Sequence, residues 1–186
     1  MKIVLASQSP RRKELLTMAG ITFEVKTVSV SEDHPENTAL EEIPQFLAYK
    51  KAKSMLPYVD DDTVVIGADT IVLLGGTIYE KPKDAADAKN MLRQLSGQTH
   101  RVITGVCLVS KKKEVTFSDV TQVTFHELTD EEIAYYVERF QPFDKAGSYA
   151  CQEWIGAVGI ARFEGDYFNV VGLPVSRVYR ELKQFA

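Results

Sequence analysis

The chain has 186 residues, of which 45% are hydrophobic and 26% are charged, and its formal net charge is -4 at pH 7. This length is enough for one well-packed domain, and we predict a single domain over residues 1–186. The acidic balance argues against binding of duplex nucleic acid, because that function needs a broad basic face. A small polyanionic ligand is still allowed, since a few converging lysines and arginines suffice to bind it.

Apolar runs are short along the whole sequence. The N-terminal run ends at Ser7, and no later segment reaches the length that a secretory signal or a transmembrane helix requires. The two cysteines, Cys107 and Cys151, stand at no metal-ligand spacing. We therefore predict a cytoplasmic protein whose partners include neither a membrane nor a nucleic acid.

The first half of the chain predicts alternating strands and helices. Ser9 and Pro10 form a helix start, with serine as the N-cap and proline at the first helical position. The predicted elements are a strand over residues 3–6, a helix that starts at Ser9 and ends at a cap on Gly20, mixed structure over 21–38, a helix over about 41–56, a strand over 64–74, a turn at Gly75-Gly76 and a partner strand over 77–81.

The second half continues the alternation. A capping box at Thr129 predicts a helix start there. The predicted elements are a helix over about 84–97, strands over 102–109 and 115–125, a helix over about 130–138, a glycine-containing segment over 144–156, two strands that flank Gly165-Asp166, and a last helix after Pro174. The hairpins make the sheet mixed, so the predicted fold class is α/β, a mixed central β-sheet flanked by helices.

The segment after the first strand, Ala6-Ser7-Gln8-Ser9-Pro10-Arg11-Arg12, carries the strongest local signal for a ligand. A helix N-terminus has partial positive charge and free N–H groups, so cations in its first turn are unfavourable. Arg11 and Arg12 nevertheless lie there, and a phosphate group bound at the helix end would resolve the conflict. Solvated surface arginines are the alternative, since the preference they break is worth only ~0.3–1 kcal/mol.

Asp69 lies within a long apolar strand, residues 64–74. A carboxylate at this position is partly desolvated, which is costly unless the group is paired or bound to a metal. The position therefore suits a metal ligand or a general base. An aspartate at a strand break, hydrogen-bonded to nearby backbone, is the alternative of equal weight.

Two lysines are candidate phosphate ligands. In the predicted hairpin Leu74 pairs with Thr77 and Thr70 pairs with Lys81. Lys51 lies close to the buried stripe of the second helix and could reach a phosphate at the mouth of a cleft. An ordinary edge lysine and a lysine that extends along the surface are the respective alternatives.

Glu32 and Gln152 carry weaker signals. Glu32 is a loop carboxylate, and by position alone neither residue differs from an ordinary surface residue. The three histidines, His34, His100 and His126, are scattered along the chain and predict neither a metal site nor a catalytic triad.

Taken in order, these residues resemble the Maf family of nucleotide pyrophosphatases, nearly from end to end of the chain. The local departure is Glu153-Trp154, where smaller residues such as glycine are expected, and it bears on the shape of the base pocket. The matching motifs are Ala-Ser-Gln-Ser-Pro-Arg-Arg (6–12), Lys51-Ala52, Gly67-Ala68-Asp69-Thr70, Glu80-Lys81-Pro82, Leu95-Ser96-Gly97 with His100, Thr104-Gly105-Val106, Asp144-Lys145-Ala146-Gly147-Ser148-Tyr149 and Val171-Gly172-Leu173-Pro174. One such motif is weak, whereas this many in register are highly specific.

The resemblance implies a mixed, elongated sheet flanked by helices in two lobes with a nucleotide cleft, similar to the inosine-triphosphate pyrophosphatase (Maf/Ham) fold. It also implies dependence on a divalent metal, Mg²⁺ or Mn²⁺, and frequent homodimers. Its implied site consists of Ser7, Arg11, Arg12, Lys51 and Lys81 around the phosphates, Asp69 as the catalytic carboxylate, Asp69 and Glu32 on the metal, and Thr70 and Gln152 in substrate choice.

The implied reaction is hydrolysis of a nucleoside triphosphate between its α- and β-phosphates. Asp69 would bind the metal or take a proton from water, while the basic residues stabilise the leaving pyrophosphate. We expect Arg11→Ala or Arg12→Ala to weaken turnover without loss of thermal stability, since no core contact is removed. A nucleotide-binding regulator of septum formation is the alternative from another class, although it would not need the intact carboxylate and basic residues.

The segment at residues 144–149, followed by Gln152, resembles the branch of the family that acts on dTTP and UTP. The Gln152 amide offers a donor and an acceptor, which match the O4 and N3–H edge of thymine and uracil. Cytosine reverses that order, so CTP should be disfavoured, whereas modified pyrimidine triphosphates are further candidates. The branch that acts on 7-methyl-GTP tends to lack this glutamine and is the alternative, as is a Gln152 that only braces its loop.

Overall fold

The computed structural model of the chain describes residues 1–185, so Ala186, the last residue of the predicted domain, lies outside the described residues. Within this range no helix is both long enough and apolar enough to cross a membrane. The strands are β1 (Lys2–Leu5), β2 (Glu24–Val25), β3 (Thr63–Leu74), β4 (Thr77–Tyr79), β5 (Thr99–Val109), β6 (Glu114–Phe125) and β7 (Ile160–Glu164). The helices are α1 (Pro10–Met18), α2 (Ile43–Met55), α3 (Ala85–Leu95), α4 (Asp130–Phe140), α5 (Trp154–Val158), α6 (Tyr167–Val171) and α7 (Val175–Leu182).

The strands form a mixed sheet. Its order is β2-β1-β3-β5-β6-β7, and β4 pairs with β3. β1 runs parallel to both β2 and β3, whereas β4 is antiparallel to β3 and β7 is antiparallel to β6. The predicted α/β class, a mixed sheet flanked by helices, is confirmed.

The predicted hairpin is confirmed in register and corrected in length. Leu74 pairs with Thr77 across Gly75-Gly76. The two glycines have φ values of 56° and 83°, which a tight two-residue turn requires. β4 ends at Tyr79, so the predicted ladder stops short of Lys81. Proline follows that lysine and has no N–H group with which to continue a ladder.

By their internal contacts the residues group into two compact units. The first unit contains residues 1–70, 104–119 and 172–185, and the second contains residues 71–103 and 120–171. Each unit has a buried apolar cluster of its own. The first cluster includes Val4, Ala6, Ala48, Ala52, Met55, Val65, Cys107 and Val109. The second includes Val72, Leu92, Leu95, Val102, Val123, Phe125, Ile133, Tyr136, Tyr149 and Ile155.

Two helix starts follow the predicted caps. The hydroxyl of Ser9 accepts a hydrogen bond from the backbone N–H of Arg12 at 3.5 Å, and Pro10 is the first residue of α1. At α4, Thr129 Oγ1 accepts from the N–H of Glu132 at 3.2 Å, and Glu132 Oε2 accepts from the N–H of Thr129 at 2.8 Å. Both caps join residues three apart, which is why the sequence alone predicts them.

The prediction of a second strand, after Asp166, is wrong, because the chain forms helix α6 there. An Asp166 carboxylate oxygen accepts from the N–H of Phe168 at 2.7 Å, as the cap of a helical turn does. Asn169 is fully buried, and its side-chain amide donates to the Val102 carbonyl and to the Thr121 hydroxyl, each at 3.0 Å. These partners are distant in sequence, so hydrophobic periodicity carries no sign of them.

Gly67 allows α2 to pack closely on β3. A Cβ atom at Gly67 would lie 2.3 Å from the carbonyl oxygen of Ala48 and 2.8 Å from the Cβ of Ala52. Both alanines are fully buried and carry the smallest side chain that a helix face can present. The close approach brings Lys51 of α2 to Asp69 of β3, where their charged groups are 2.6 Å apart.

Gly67→Ala is expected to lower the free energy of unfolding by about 1–3 kcal/mol, the usual cost of overpacking. The contact is with a backbone oxygen, which cannot rotate away, so α2 has to shift as a whole. Thermal unfolding followed by circular dichroism measures the effect. A melting temperature equal to that of the parent chain would contradict the close contact between this helix and strand.

Candidate active site

The loop between β1 and α1 is held in place by its own polar groups. The N–H of Ala6 donates to the carbonyl of Ile66 at 2.8 Å, so the loop leaves the sheet beside β3. Ser7 Oγ accepts from the N–H of Ser9 at 3.3 Å and from Nη1 of Arg12 at 3.2 Å. The serine hydroxyl is therefore held at the N-terminal end of α1, where the helix dipole favours an anion.

Arg12 connects three separate chain segments through its half-buried guanidinium group. Besides Ser7, Nη1 donates to the carbonyl of Ala68 at 2.9 Å, Nη2 donates to Thr70 Oγ1 at 3.1 Å, and Nε donates to the carbonyl of Gly172 at 2.9 Å. A guanidinium has five N–H groups, so these contacts leave one, on Nη2, for a ligand. Arg12→Ala, expected from the sequence to remove no core contact, would thus remove four part-buried hydrogen bonds.

The Arg12 guanidinium lies near one charge of each sign, Asp69 and Arg11. Burial lowers the pKa of Arg12, the negative charge of Asp69 raises it, and the nearby charge of Arg11 lowers it further. Arg11 is half-buried in the same helical turn. Two guanidinium groups thus lie close together at one helix N-terminus, an arrangement that an anionic ligand would stabilise.

Asp69, Lys51 and Glu32 form a charged cluster. Lys51 Nζ donates to Asp69 Oδ1 at 2.6 Å and to Glu32 Oε1 at 2.9 Å. The side chains of Asp69 and Lys51 are 15% and 21% exposed, whereas that of Glu32 is 70% exposed. Asp69 is therefore paired with a lysine, rather than bonded only to nearby backbone as the alternative interpretation proposed.

A pocket of about 170 Å³ lies beside this charged cluster, and Lys51 forms part of its wall. Part of its wall comes from the region after α1, which the sequence did not identify as part of a site. In that region the hydroxyl of Thr27 accepts a hydrogen bond from Gln8 Nε2 at 3.1 Å. That region was predicted only as mixed structure, and its residues carry no charge or motif that marks a site. The pocket is lined by Ala6, Ser7, Arg12, Thr27, Val28, Val30 and Lys51.

Thr70 is held by two partners. It accepts from Arg12, and its Oγ1 also lies 2.9 Å from Oγ1 of Thr104, which is fully buried on β5. Thr104 belongs to one of the family-like motifs, but the sequence assigned it no role. The two contacts limit the rotation of the Thr70 side chain.

In the second unit, the loop that carries Lys81 is attached to the segment around Gly147. Lys81 is exposed and follows the end of β4. The N–H of Gly147 donates to the carbonyl of Glu80 at 3.1 Å. Gly147 has a φ of 68°, and a Cβ atom there would lie 3.1 Å from the methyl groups of Val72, so this segment requires glycine at a tight contact.

Gln152 is exposed and lies in a short turn. The N–H of Glu153 donates to the carbonyl of Ala150 at 3.1 Å, which closes the turn. The thiol of Cys151 donates to Gln152 Oε1 at 3.7 Å. Nearby, the nearly buried Lys145 donates to Asp144 Oδ1 at 2.7 Å.

His100 belongs to the core of the second unit. It is 1% exposed, packs edge-on against Phe125 and Tyr149, and has its Nε2 atom 2.6 Å from the Tyr149 hydroxyl. Burial lowers the pKa of His100 to about 4, so the imidazole is neutral at pH 7. The neutral charge state explains how this residue is tolerated among apolar side chains.

Two carboxylates of the first unit can share one cation. Asp69 and Glu32 both contact the single cationic atom Lys51 Nζ, so their oxygens converge on one position. Oxygen donors of this kind suit Mg²⁺ or Mn²⁺. Across residues 1–185 no group of three or more His, Cys, Asp or Glu side chains is arranged to hold a metal ion. The carboxylate pair therefore fits a cation that takes its remaining ligands from substrate and water.

The fold and these side chains define the class of the protein: a mixed α/β protein with a cation-lined pocket beside a paired carboxylate. The chain belongs to the Maf family, because the sequence model of the Maf-like protein family matches residues 2–185.

Relatives of known name are similar over nearly the whole chain. A dTTP/UTP pyrophosphatase of Phocaeicola vulgatus is 53% identical over 98% of this chain and 95% of its own. A dTTP/UTP pyrophosphatase of Porphyromonas gingivalis is 51% identical over 99% of this chain and 94% of its own. Among solved structures, the Ham1 protein of Staphylococcus aureus is similar over 68% of this chain and 73% of its own, with 15% identity and a TM-score of 0.48.

Proposed function

We propose that the chain is a nucleoside triphosphate pyrophosphatase that hydrolyses dTTP and UTP to the monophosphate and pyrophosphate. The observation that carries the proposal is the Asp69 carboxylate, paired with Lys51 at 2.6 Å beside the pocket that Arg12 lines. A carboxylate that can accept a proton, next to cations that suit a triphosphate, supports this reaction. The names of the similar relatives support the same reaction.

Asp69 is the proposed general base. Its carboxylate takes a proton from a water molecule whose oxygen attacks the α-phosphorus. The bond between the α-phosphorus and the oxygen that bridges to the β-phosphorus breaks, and pyrophosphate leaves with the bonding electrons. The Lys51 ammonium group orients the carboxylate through its hydrogen bond to Oδ1.

The basic groups hold the triphosphate and stabilise the charge that develops on the leaving group. In the first unit these are the remaining N–H of Arg12, the Arg11 side chain and the Ser7 hydroxyl, all at the N-terminal end of α1. In the second unit we propose Lys81 as a phosphate ligand and Gln152 as a ligand of the base. Most of the rate enhancement then comes from positioning and electrostatics.

The proposal includes a divalent cation, Mg²⁺ or Mn²⁺, which neutralises charge on the phosphates when it is bound. Asp69 and Glu32 would hold it, since both carboxylates face one cationic position. Lys51 Nζ contacts both carboxylates at this position. One or two carboxylates suffice for such a cation when phosphates supply further ligands.

The expected result for a panel of nucleotides is a preference for dTTP and UTP over CTP by about 10- to 100-fold in kcat/KM, the effect of one unpaired buried polar group. The reason is the Gln152 amide, whose donor and acceptor match the O4 and N3–H edge of uracil and thymine. Pyrophosphate release is measured with Mg²⁺ and then Mn²⁺ for dTTP, UTP, CTP, GTP and 7-methyl-GTP.

Other outcomes of this panel have distinct meanings. A preference for 7-methyl-GTP or CTP would refute the base assignment and leave the reaction intact. If no triphosphate is hydrolysed but nucleotides bind, the enzyme proposal fails in favour of a nucleotide-binding regulator.

A further inference from the structure

The turn that carries Gln152 is bonded at both ends to one phenol group. The hydroxyl of Tyr136 accepts a hydrogen bond from the N–H of Ala150 at 3.1 Å, at the start of the turn. The same hydroxyl donates to Glu153 Oε2, at the end of the turn. The backbone bond between Ala150 and Glu153 closes the turn, so a single oxygen atom fixes the residues on both sides of Gln152.

Tyr136 is a rigid anchor for this turn. It lies on α4, it is fully buried, and its ring stacks on that of Phe140 with centroids 5.1 Å apart. Burial and the hydrogen bond to Glu153 raise the pKa of Tyr136 well above its ordinary value, so the phenol keeps its proton. The protonated phenol can therefore donate to Glu153.

Glu153 uses its side chain for this contact and not for a helix cap. It is the N-cap residue of α5, yet its carboxylate forms no cap hydrogen bond. Instead Oε2 accepts from Tyr136, and Oε1 lies 3.5 Å from Nζ of Lys145, whose side chain is only 10% exposed. The carboxylate therefore links the phenol with a nearly buried cation, and that cation offsets its charge.

We propose that Tyr136 and Glu153 are positioning residues that hold the Gln152 amide and thereby set the preference among nucleobases. The inference rests on the proposed function, in which Gln152 contacts the base. An amide discriminates between donor and acceptor patterns only if its atoms are held within a fraction of an ångström. Gln152 itself is exposed, and its Oε1 atom accepts a long, 3.7 Å hydrogen bond from the Cys151 thiol, so we assign most of its positioning to the turn that carries both residues.

The experiment compares Tyr136→Phe with Tyr135→Phe. Both substitutions remove one phenol oxygen from neighbouring residues of α4, but Tyr135 is 49% exposed, and phenylalanine keeps the ring that packs against Trp154. Tyr136→Phe is expected to reduce the ratio of kcat/KM for dTTP to that for CTP by about tenfold, the effect of one lost hydrogen bond on the turn. The loss is expected in KM for dTTP, with kcat changed less than threefold, whereas Tyr135→Phe leaves the ratio unchanged.

Glu153→Gln and a Gln152→Ala background complete the test. Glu153→Gln keeps the shape of the side chain and is expected to lower the same ratio. When Gln152 is already alanine, Tyr136→Phe is expected to leave the ratio unchanged, because no amide remains to be positioned.

Two results would overturn the inference alone. One is a parent-like dTTP-to-CTP ratio in Tyr136→Phe together with a lower melting temperature, which would make the phenol a purely structural residue. The other is an equal loss of selectivity with and without Gln152. A parent chain that shows no preference for dTTP over CTP would overturn the proposed base contact and the inference together.

Discussion

Asp69→Asn is expected to reduce the turnover of dTTP by a factor on the order of 10²–10⁴ while the chain stays folded. Asparagine has the size of aspartate and still accepts a hydrogen bond from Lys51, but it cannot take a proton from water. Lys51 keeps its contact with Glu32 at 2.9 Å, so the substitution leaves no unpaired ammonium group. The measurement is pyrophosphate release at saturating dTTP, together with the melting temperature.

The matched control is Asp60→Asn. Asp60 and Lys2 form an aspartate–lysine pair of nearly the same length, 2.7 Å, but the side chain of Asp60 is 71% exposed. Their pair is expected to contribute little, as exposed ion pairs do, and its loss should leave turnover unchanged. Near-normal turnover of Asp69→Asn would rule out this carboxylate as the base.

Arg12→Ala is expected to lower both activity and stability. The loss of a charge-assisted bond to the triphosphate costs about 1.5–3 kcal/mol, or roughly 10- to 150-fold in kcat/KM. Removal of the guanidinium also removes the hydrogen bonds that Arg12 donates to the Ala68 and Gly172 carbonyls and to the Thr70 hydroxyl. We expect a further loss of about 1–3 kcal/mol in the free energy of unfolding, which lowers the melting temperature by several degrees.

Two variants separate these effects from the loss of a positive charge alone. Arg180→Ala removes the same group from an exposed position on α7 and is expected to change neither property. Arg12→Lys keeps the charge but cannot reach acceptors on three segments with one ammonium group, so it should recover only part of the stability. If Arg12→Ala melts at the same temperature as the parent chain, the guanidinium does not stabilise the three segments that it contacts. Parent-like turnover would contradict its contact with the phosphates.

Local features of this protein follow from the sequence by itself. Gly75-Gly76 predicts the hairpin and its register, because positive φ at both positions is readily reached only by glycine. Thr129 predicts the start of α4, because its capping partner lies three residues away. The charge conflict at Arg11 and Arg12 singles out the start of α1. In each case the interacting groups are close along the chain, so their spacing carries the information.

Contacts between distant segments were decided only by the tertiary structure. Lys51 was ambiguous in sequence, and it meets Asp69 because Gly67 lets a helix face approach the strand. Arg12 finds an acceptor at Gly172, 160 residues away, and no local pattern indicates such a bond. The prediction of a strand after Asp166 failed for a similar reason. The segment forms a helix there, and the partners of its buried asparagine amide lie on other strands, far away in sequence. Periodicity records which face of an element is apolar, whereas the partner of each polar group depends on how the elements pack.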